Sequence, residues 1–301
     1  MLKIAYHELY QHPLPEGHRF PMVKYELIPA QLLREGVITK DNLFAPEPAS
    51  DETILLTHDA EYFRRMKHDE LTDSEMRKIG FPLSPGLVER EVRITQGTID
   101  CMRYAMQYGV ALNVAGGTHH AFSDKGEGFC LLNDFAVATN YMLHHRLAER
   151  ILIIDLDVHQ GNGTARIFAD DQRVFTLSMH GKDNYPFFKE HSDLDIGVEN
   201  GTGDREYLSL MHEHIPSVIR SFRPDIVCYL SGVDVLATDR YGKLGLSEAA
   251  CAERDRLVFS WCREGGIPVA VSMGGGYSPR VTDIVNAHCN TYKAAAEIFF
   301  T

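Results

Sequence analysis

Residues Ile151–Gly163 read ILIIDLDVHQGNG. Four apolar residues come first, Ile151, Leu152, Ile153 and Ile154, the pattern of a strand buried on both faces of a parallel sheet. Asp155, Asp157 and His159 then follow at every second position. Side chains two apart on a strand point the same way, so this spacing can put two carboxylates and an imidazole on one face. Like charges crowded at the end of a buried strand are costly unless something positive sits between them. A divalent metal is the simplest candidate, because carboxylate oxygen and imidazole nitrogen both suit Zn²⁺. The chain turns away through Gln160–Gly163, where two glycines ease the bend. Taken alone, the same residues also fit a strand end whose carboxylates cap neighbouring loops.

The flanking sequence repeats this design. Val110–Ala115 reads as a second buried strand and ends in Gly116-Gly117-Thr118-His119-His120. Neighbouring residues on a strand face opposite ways, so both histidines reach one pocket only where strand geometry has ended. Ile226–Leu230 is another apolar strand, followed by Ser231-Gly232-Val233-Asp234. Pro268–Ser272 is the last, followed by Gly274-Gly275-Gly276-Tyr277. Arg173–Leu177 reads as one more, and Lys3–Tyr6 as a short first strand. Helical periodicity marks Met22–Arg34, Gly86–Tyr108, Asp134–Leu147, Asn162–Ala169, Asp204–Phe222 and Ser247–Arg263, with a short helix opened near Thr57 and running to Lys67. Ser247 is the expected N-cap of its helix, and Ser278-Pro279 is expected to open the last one, whose inner face carries Val281, Ile284, Val285, His288 and Tyr292. His7–Pro21 reads as a loop in which His12, His18 and Arg19 are open to either a surface or a site role. Glu70–Pro85 reads as polar surface, Gly126–Asp134 as a glycine-punctuated loop, and Gly181–Gly203 as a long irregular insertion with aromatics at Tyr185, Phe187 and Phe188.

Composition narrows the class. The chain has 301 residues, 44% of them hydrophobic and 24% charged, which describes an ordinary soluble protein. No apolar run approaches the ~20 residues of a membrane span, and MLKIAYHELY lacks the apolar core of a signal peptide; a cytoplasmic protein is expected. The six cysteines show no CxxC pair, so neither a disulfide framework nor a zinc ribbon is indicated. A formal charge of −12 argues against direct nucleic-acid or anionic-membrane binding and is compatible with a basic substrate. Alternating strands and helices from about residue 86 onward, with no linker or repeat, predict one α/β domain over 1–301. In such sheets ligands bind outside the carboxyl ends of the strands. His119/His120, Asp155/Asp157/His159, Asp234 and Tyr277 all fall there, and together they point to a metal-assisted active site.

Five motifs in this order, GGTHHA, GFCLLND, DLDVHQGNGT, SGVD and GGGY, resemble the zinc-dependent histone deacetylase family and its bacterial relatives. The stretch from FRPDIVCYLSGVDVLATDR to SMGGGYSPR is most similar to class IV histone deacetylases and to bacterial deacetylase-like amidohydrolases. The resemblance implies the arginase–deacetylase fold, with an eight-stranded parallel sheet flanked by helices. It implies Asp157, His159 and Asp234 as ligands of one catalytic Zn²⁺, and Asp155 as the carboxylate holding His119. It implies His119 and His120 as acid/base residues and Tyr277 as the donor to the acyl oxygen. Phe129, with Gly128 and Gly275, would bind substrate, and Phe187 or Phe188 would form the opposite wall of the channel. Ser178, with main-chain oxygens including those of Asp155 and Met179, matches a structural K⁺ site. The class I pattern has a carboxylate partner for the second histidine; here Asn162 stands there, as in class II and class IV members.

The implied reaction is metal-assisted hydrolysis of a linear amide, releasing acetate or a longer acid from an acylated lysine in a peptide or protein. The alternative is an acylated polyamine as substrate. A binuclear manganese ureohydrolase of the same superfold would need another Asp two residues after His159, where this chain has Gly161. A non-catalytic acyl-lysine binder would be expected to lack a ligand, a histidine or the tyrosine, and none is missing.

Overall fold

The apolar run Ile151–Ile154 is a fully buried strand in the computed structural model, which describes residues 1–300. The strands in chain order are β1 (Lys3–Ala5), β2 (Leu43–Phe44), β3 (Val110–Asn113), β4 (Ile151–Asp155), β5 (Val174–Gly181), β6 (Leu194–Val198), β7 (Ile226–Leu230) and β8 (Val269–Ser272). They form a single eight-stranded sheet in the order β2-β1-β3-β8-β7-β4-β5-β6, with every pair parallel. Such a sheet needs a cover on both faces. The helices that supply it are α1 (Lys24–Arg34), α2 (Asp51–Ile54), α3 (Ala60–Lys67), α4 (Asp73–Ile79), α5 (Pro85–Tyr108), α6 (Asp134–His144), α7 (Asn162–Phe168), α8 (Asp204–Phe222), α9 (Glu248–Glu264) and α10 (Val281–Phe300). α5 packs along β1, β3 and β8 with α6 beside it, while α1, α10, α9 and α8 pack side by side.

Strand order explains where a site can form. From β4 the chain moves outward to β5; from the adjacent β7 it moves the opposite way to β8. Right-handed crossovers in opposite directions send their helices to opposite faces, so the loops after β4 and β7 part and leave a crevice between them. No helix among the described residues is long and apolar enough to cross a membrane.

Local sequence accounts for the boundaries. Ser84 caps α5 through Leu87 N, with Pro85 in the first turn, and Gly109 ends it in a positive-φ conformation. Ser247 caps α9 through Ala250 N, as its position predicts. Several expectations are corrected. The Gly181–Gly203 insertion contains β6, an edge strand that buries only Ile196 and Val198 and therefore lacks the apolar run of its neighbours. Glu70–Pro85 is not all polar surface: a Thr72–Glu75 capping box opens α4, and Ile79 and Phe81 are buried. β5 continues past Leu177 to Gly181. α10 begins at Val281, and the Ser278 hydroxyl faces that of Thr238 at 2.9 Å rather than capping the helix.

Candidate metal centre and active site

β4 ends at Asp155, and β7 leads into Ser231–Asp234, so the crevice between them receives both sets of carboxylates. His159 Nδ1 lies 3.0 Å from Asp157 Oδ1 and 3.2 Å from Asp234 Oδ2. Ligands about 2.0–2.1 Å from one tetrahedral ion stand about 3.3 Å apart, so these edges suit a shared ion. Donor atoms of Asp157, His159 and Asp234 all lie within 4.8 Å of one another. Main-chain N–H groups aim the carboxylates: Val158 N donates to Asp234 Oδ1 (2.9 Å) and Gly275 N to Asp157 Oδ2 (2.8 Å). Asp234 Oδ2 is buried without a hydrogen-bond partner, which is costly unless a cation faces it. A Cβ on Gly275 would stand 2.0 Å from that oxygen, so the space beside it requires glycine. Burial and the Asp157 charge push Asp234 up to about 7, whereas contacts with His119, His159 and Asp234 override burial and hold Asp157 low. Burial opposes charge on His159 too, but its contacts with the Asp157 and Asp234 carboxylates outweigh this and raise it to about 10. The cluster demands positive charge, and the donor set fits a divalent metal.

β3 delivers the two histidines. Gly116 and Gly117 both take positive φ, and a Cβ on Gly117 would lie 2.6 Å from the Gly274 backbone. The chain thus leaves strand geometry, and the rings of His119 and His120 come to lie 4.1 Å apart. His119 Nδ1 faces Asp155 Oδ2 at 2.6 Å; His120 Nδ1 faces Asn162 Oδ1 at 2.7 Å. Burial disfavours charge on both rings. At His119 the Asp155 carboxylate overcomes it and raises the pKa; at His120 burial and the charges of His119 and His159 drive it well below its ordinary value. Charge is thereby favoured on His119 by its carboxylate partner and disfavoured on His120.

Tyr277 and Phe129 line the approach, with ring centroids 6.1 Å apart, and Tyr277 stands 6.5 Å from the His159 ring. Burial first, then the Asp234 and Asp157 carboxylates, keep the Tyr277 phenol well above its ordinary range, so it remains a donor. An outer mouth of about 400 Å³ is lined by Gly128, Phe129, Tyr185, Phe187 and Tyr277 among others. It adjoins a narrow inner void of about 40 Å³ bordered by His119, His120, Asp157, His159 and Gly275. Phe187 touches the mouth but is 84% exposed, and Phe188, 93% exposed, does not line it. Tyr185 lines the mouth along with Phe129 and Phe187 and lies edge-on to His120 at 5.0 Å. Ser178 pairs in register with Asp155 and contacts His180 Nδ1 at 2.9 Å; Met179 is buried beside it.

Further residues around the site escaped the sequence reading. Lys24 is buried, donates to Gly274 O at 3.0 Å and lies 5.9 Å from the Tyr277 ring. Burial, opposed by Asp234 and Asp157, lowers it to about 8. Asp239 accepts from Tyr277 N at 2.6 Å and so holds the glycine turn. A lysine at the start of a helix and an aspartate in a loop carry no pattern that announces such roles. His18, bonded to Gly80 O at 2.9 Å, braces Phe81. His12 lies 3.4 Å from the Ser84 hydroxyl, away from the site. Arg19 spans the faces of Phe129 and Tyr241 at the mouth.

Residues 18–292 match the family model of the histone deacetylase domain. An uncharacterized protein of Picosynechococcus sp. is 43% identical over 296 residues, covering 98% of this chain and 99% of its own length. Histone deacetylase 2 of Arabidopsis thaliana is 31% identical over 270 residues, 86% of this chain and 70% of that protein. The crystal structure of a histone deacetylase homologue from Aquifex aeolicus superposes with a TM-score of 0.82 at 25% identity, covering 99% of this chain and 83% of that one.

Proposed function

We propose, on the premise that this chain belongs to the histone deacetylase family, that it is a zinc-dependent amidohydrolase that removes acetyl or longer acyl groups from acylated lysine. The observation that carries this reading is the unpartnered Asp234 Oδ2 in a buried Asp-His-Asp cluster, flanked by a neutral histidine and a protonated tyrosine. Asp157, His159 and Asp234 would hold the metal and leave one position open. Bound there, zinc would supply Lewis acidity toward the acyl carbonyl and toward water. His120, neutral, accepts the proton of the attacking water and delivers it to the leaving amine nitrogen. His119, whose charged form Asp155 favours, stabilises negative charge nearby. Tyr277 donates to the oxygen as it gains charge. The inner void and Phe129 exclude bulk water and take the acyl chain. A potassium ion beside Ser178, with main-chain oxygens of Asp155, Asp157, His159 and Met179, belongs to the same reading: a Ser178 hydroxyl donating to His180 leaves its lone pairs free.

A binuclear reading has less support. A Cβ at Gly161 would lie 2.4 Å from Asp155 Oδ2, so no carboxylate side chain fits there. The mouth favours acyl-lysine in a peptide over an acylated polyamine: Arg19, Lys78 and Lys243 line it, with Asp183 as its sole carboxylate residue, although the whole chain carries −12. Polycations are repelled by that rim. The test compares kcat/KM for an acetyl-lysine peptide with acidic flanks against acetylspermidine at low salt. The peptide should be preferred, and Lys78→Glu should narrow the preference. A stronger preference for acetylspermidine would replace the acyl-lysine reading with the polyamine one.

A further inference from the structure

At His119 the Nδ1 partner is a carboxylate, which can only accept; at His120 it is an amide, which can accept or donate. The orientation of Asn162 therefore decides what His120 is. With Asn162 Oδ1 toward the ring, Nδ1 must carry the hydrogen and Nε2 offers its lone pair to the reaction space. With the amide turned over, its NH₂ would donate to Nδ1, the hydrogen would sit on Nε2, and the neutral ring could not accept a proton from water. The two orientations have nearly the same shape, so a third group has to choose between them.

That group is Glu127. Asn162 Nδ2 donates to Glu127 Oε1 at 2.6 Å. A carboxylate in this position admits only the NH₂ end of the amide, which sends Oδ1 to His120 Nδ1, 2.7 Å away. The turn Glu127–Cys130 presents the residue: Cys130 N bonds back to Glu127 O at 3.0 Å, and Gly128 and Phe129 both take positive φ. This is the mirror-image type of turn, and Phe129 is pinned in it by its N–H to Ile79 O at 2.7 Å. The turn thus sets Phe129 at the mouth and Glu127 against Asn162. Burial first, then the nearby Glu127 carboxylate, raise the Tyr185 phenol above its ordinary range, and the Tyr185 ring lies edge-on to His120. Glu127 thus holds the amide behind the imidazole.

We propose that Glu127 is a positioning residue that fixes the amide of Asn162 and thereby keeps His120 in the tautomer with hydrogen on Nδ1 and Nε2 open. Its effect on turnover rests on the hydrolase reading above; its effect on the tautomer does not. The experiment measures both on the zinc-loaded chain. Glu127→Ala should lower kcat on an acetyl-lysine peptide by roughly ten- to hundred-fold, as for loss of one charge-assisted hydrogen bond, with KM changed far less. Glu127→Gln, whose amide oxygen can still accept from Asn162, should recover most of the loss. In an Asn162→Asp background no amide needs orienting, so Glu127→Ala should cost nothing or raise kcat by removing a second carboxylate. Nitrogen chemical shifts of ¹⁵N-histidine-labelled protein should show His120 protonated at Nδ1 in the unsubstituted chain and a population protonated at Nε2 in Glu127→Ala. An unchanged His120 spectrum in folded Glu127→Ala, or an equal loss of kcat in both backgrounds, overturns the proposal. Failure of the unsubstituted chain to hydrolyse any acyl-lysine peptide would end the hydrolase reading, and the spectra alone would then decide the role of Glu127.

Discussion

Tyr277 follows three glycines, and its backbone N–H is fixed by Asp239 at 2.6 Å. Its phenol is kept protonated by burial and by two carboxylates. A tyrosine that served only packing would lose little as phenylalanine. As the donor to a developing oxyanion, Tyr277→Phe should lower kcat by roughly 10²–10³-fold while leaving KM, fold and zinc content close to unchanged. Steady-state kinetics with metal analysis on the same sample checks this, and wild-type kcat in a folded, zinc-replete variant would remove the assignment. At this scale the sequence was informative wherever a residue type announces its chemistry: the alternation Asp155, Asp157, His159 and the HH pair were visible as donors before any coordinates. It was uninformative for Tyr185, because three aromatics within four residues, Tyr185, Phe187 and Phe188, are equivalent in a string and differ only in which way a loop turns them. It was equally silent on Glu127, an ordinary charged loop residue until Asn162 is seen beside it.

Elements carry the site through the joints between them. His58, buried between α2 and α3, accepts the Asn133 N–H at 3.0 Å at the start of α6. Burial, against the opposing pull of the Ser123 and Phe122 backbone carbonyls that accept from the ring, lowers its pKa from 6.5 to about 4. The folded chain holds it neutral, while the unfolded chain takes up a proton once the pH falls below 6.5. Stability contributed by this joint is therefore fully present above pH 6.5 and is lost as pH falls toward 4, at up to about 1.4 kcal/mol per pH unit and about 3 kcal/mol in all. Urea unfolding at pH 7, 6 and 5 should show a shallower decline for His58→Gln than for the unsubstituted chain; parallel declines would show that His58 titrates alike in both states. Helices and central strands were legible because burial on both faces writes unbroken apolar runs, as at Ile151–Ile154 and Ile226–Leu230. β6 was not, because an edge strand needs only alternate burial, and LDIGV reads as easily as loop.

For the whole molecule, strand order determines that the Asp-His-Asp cluster forms at all. β4 and β7 are distant in sequence, Ile151 and Ile226 being separated by 75 positions yet joined in register, and their loops open onto one crevice. The convergence of polar strand ends was legible from the general rule for parallel sheets, and Asp234 as the partner carboxylate from the family resemblance; that β7 lies directly beside β4 was not, since pairing order is a property of packing helices on two faces. The same scale holds the account's central claim, that one metal ion at one place makes this chain an amidohydrolase. The direct measurement is a titration: strip the protein with chelator, add zinc in fractions of an equivalent, and follow hydrolysis of an acetyl-lysine peptide. Activity should rise in proportion to added zinc and level off at one equivalent per chain, with Asp234→Ala showing no such rise. A plateau reached only at two equivalents, or no hydrolysis at any zinc content, would contradict it.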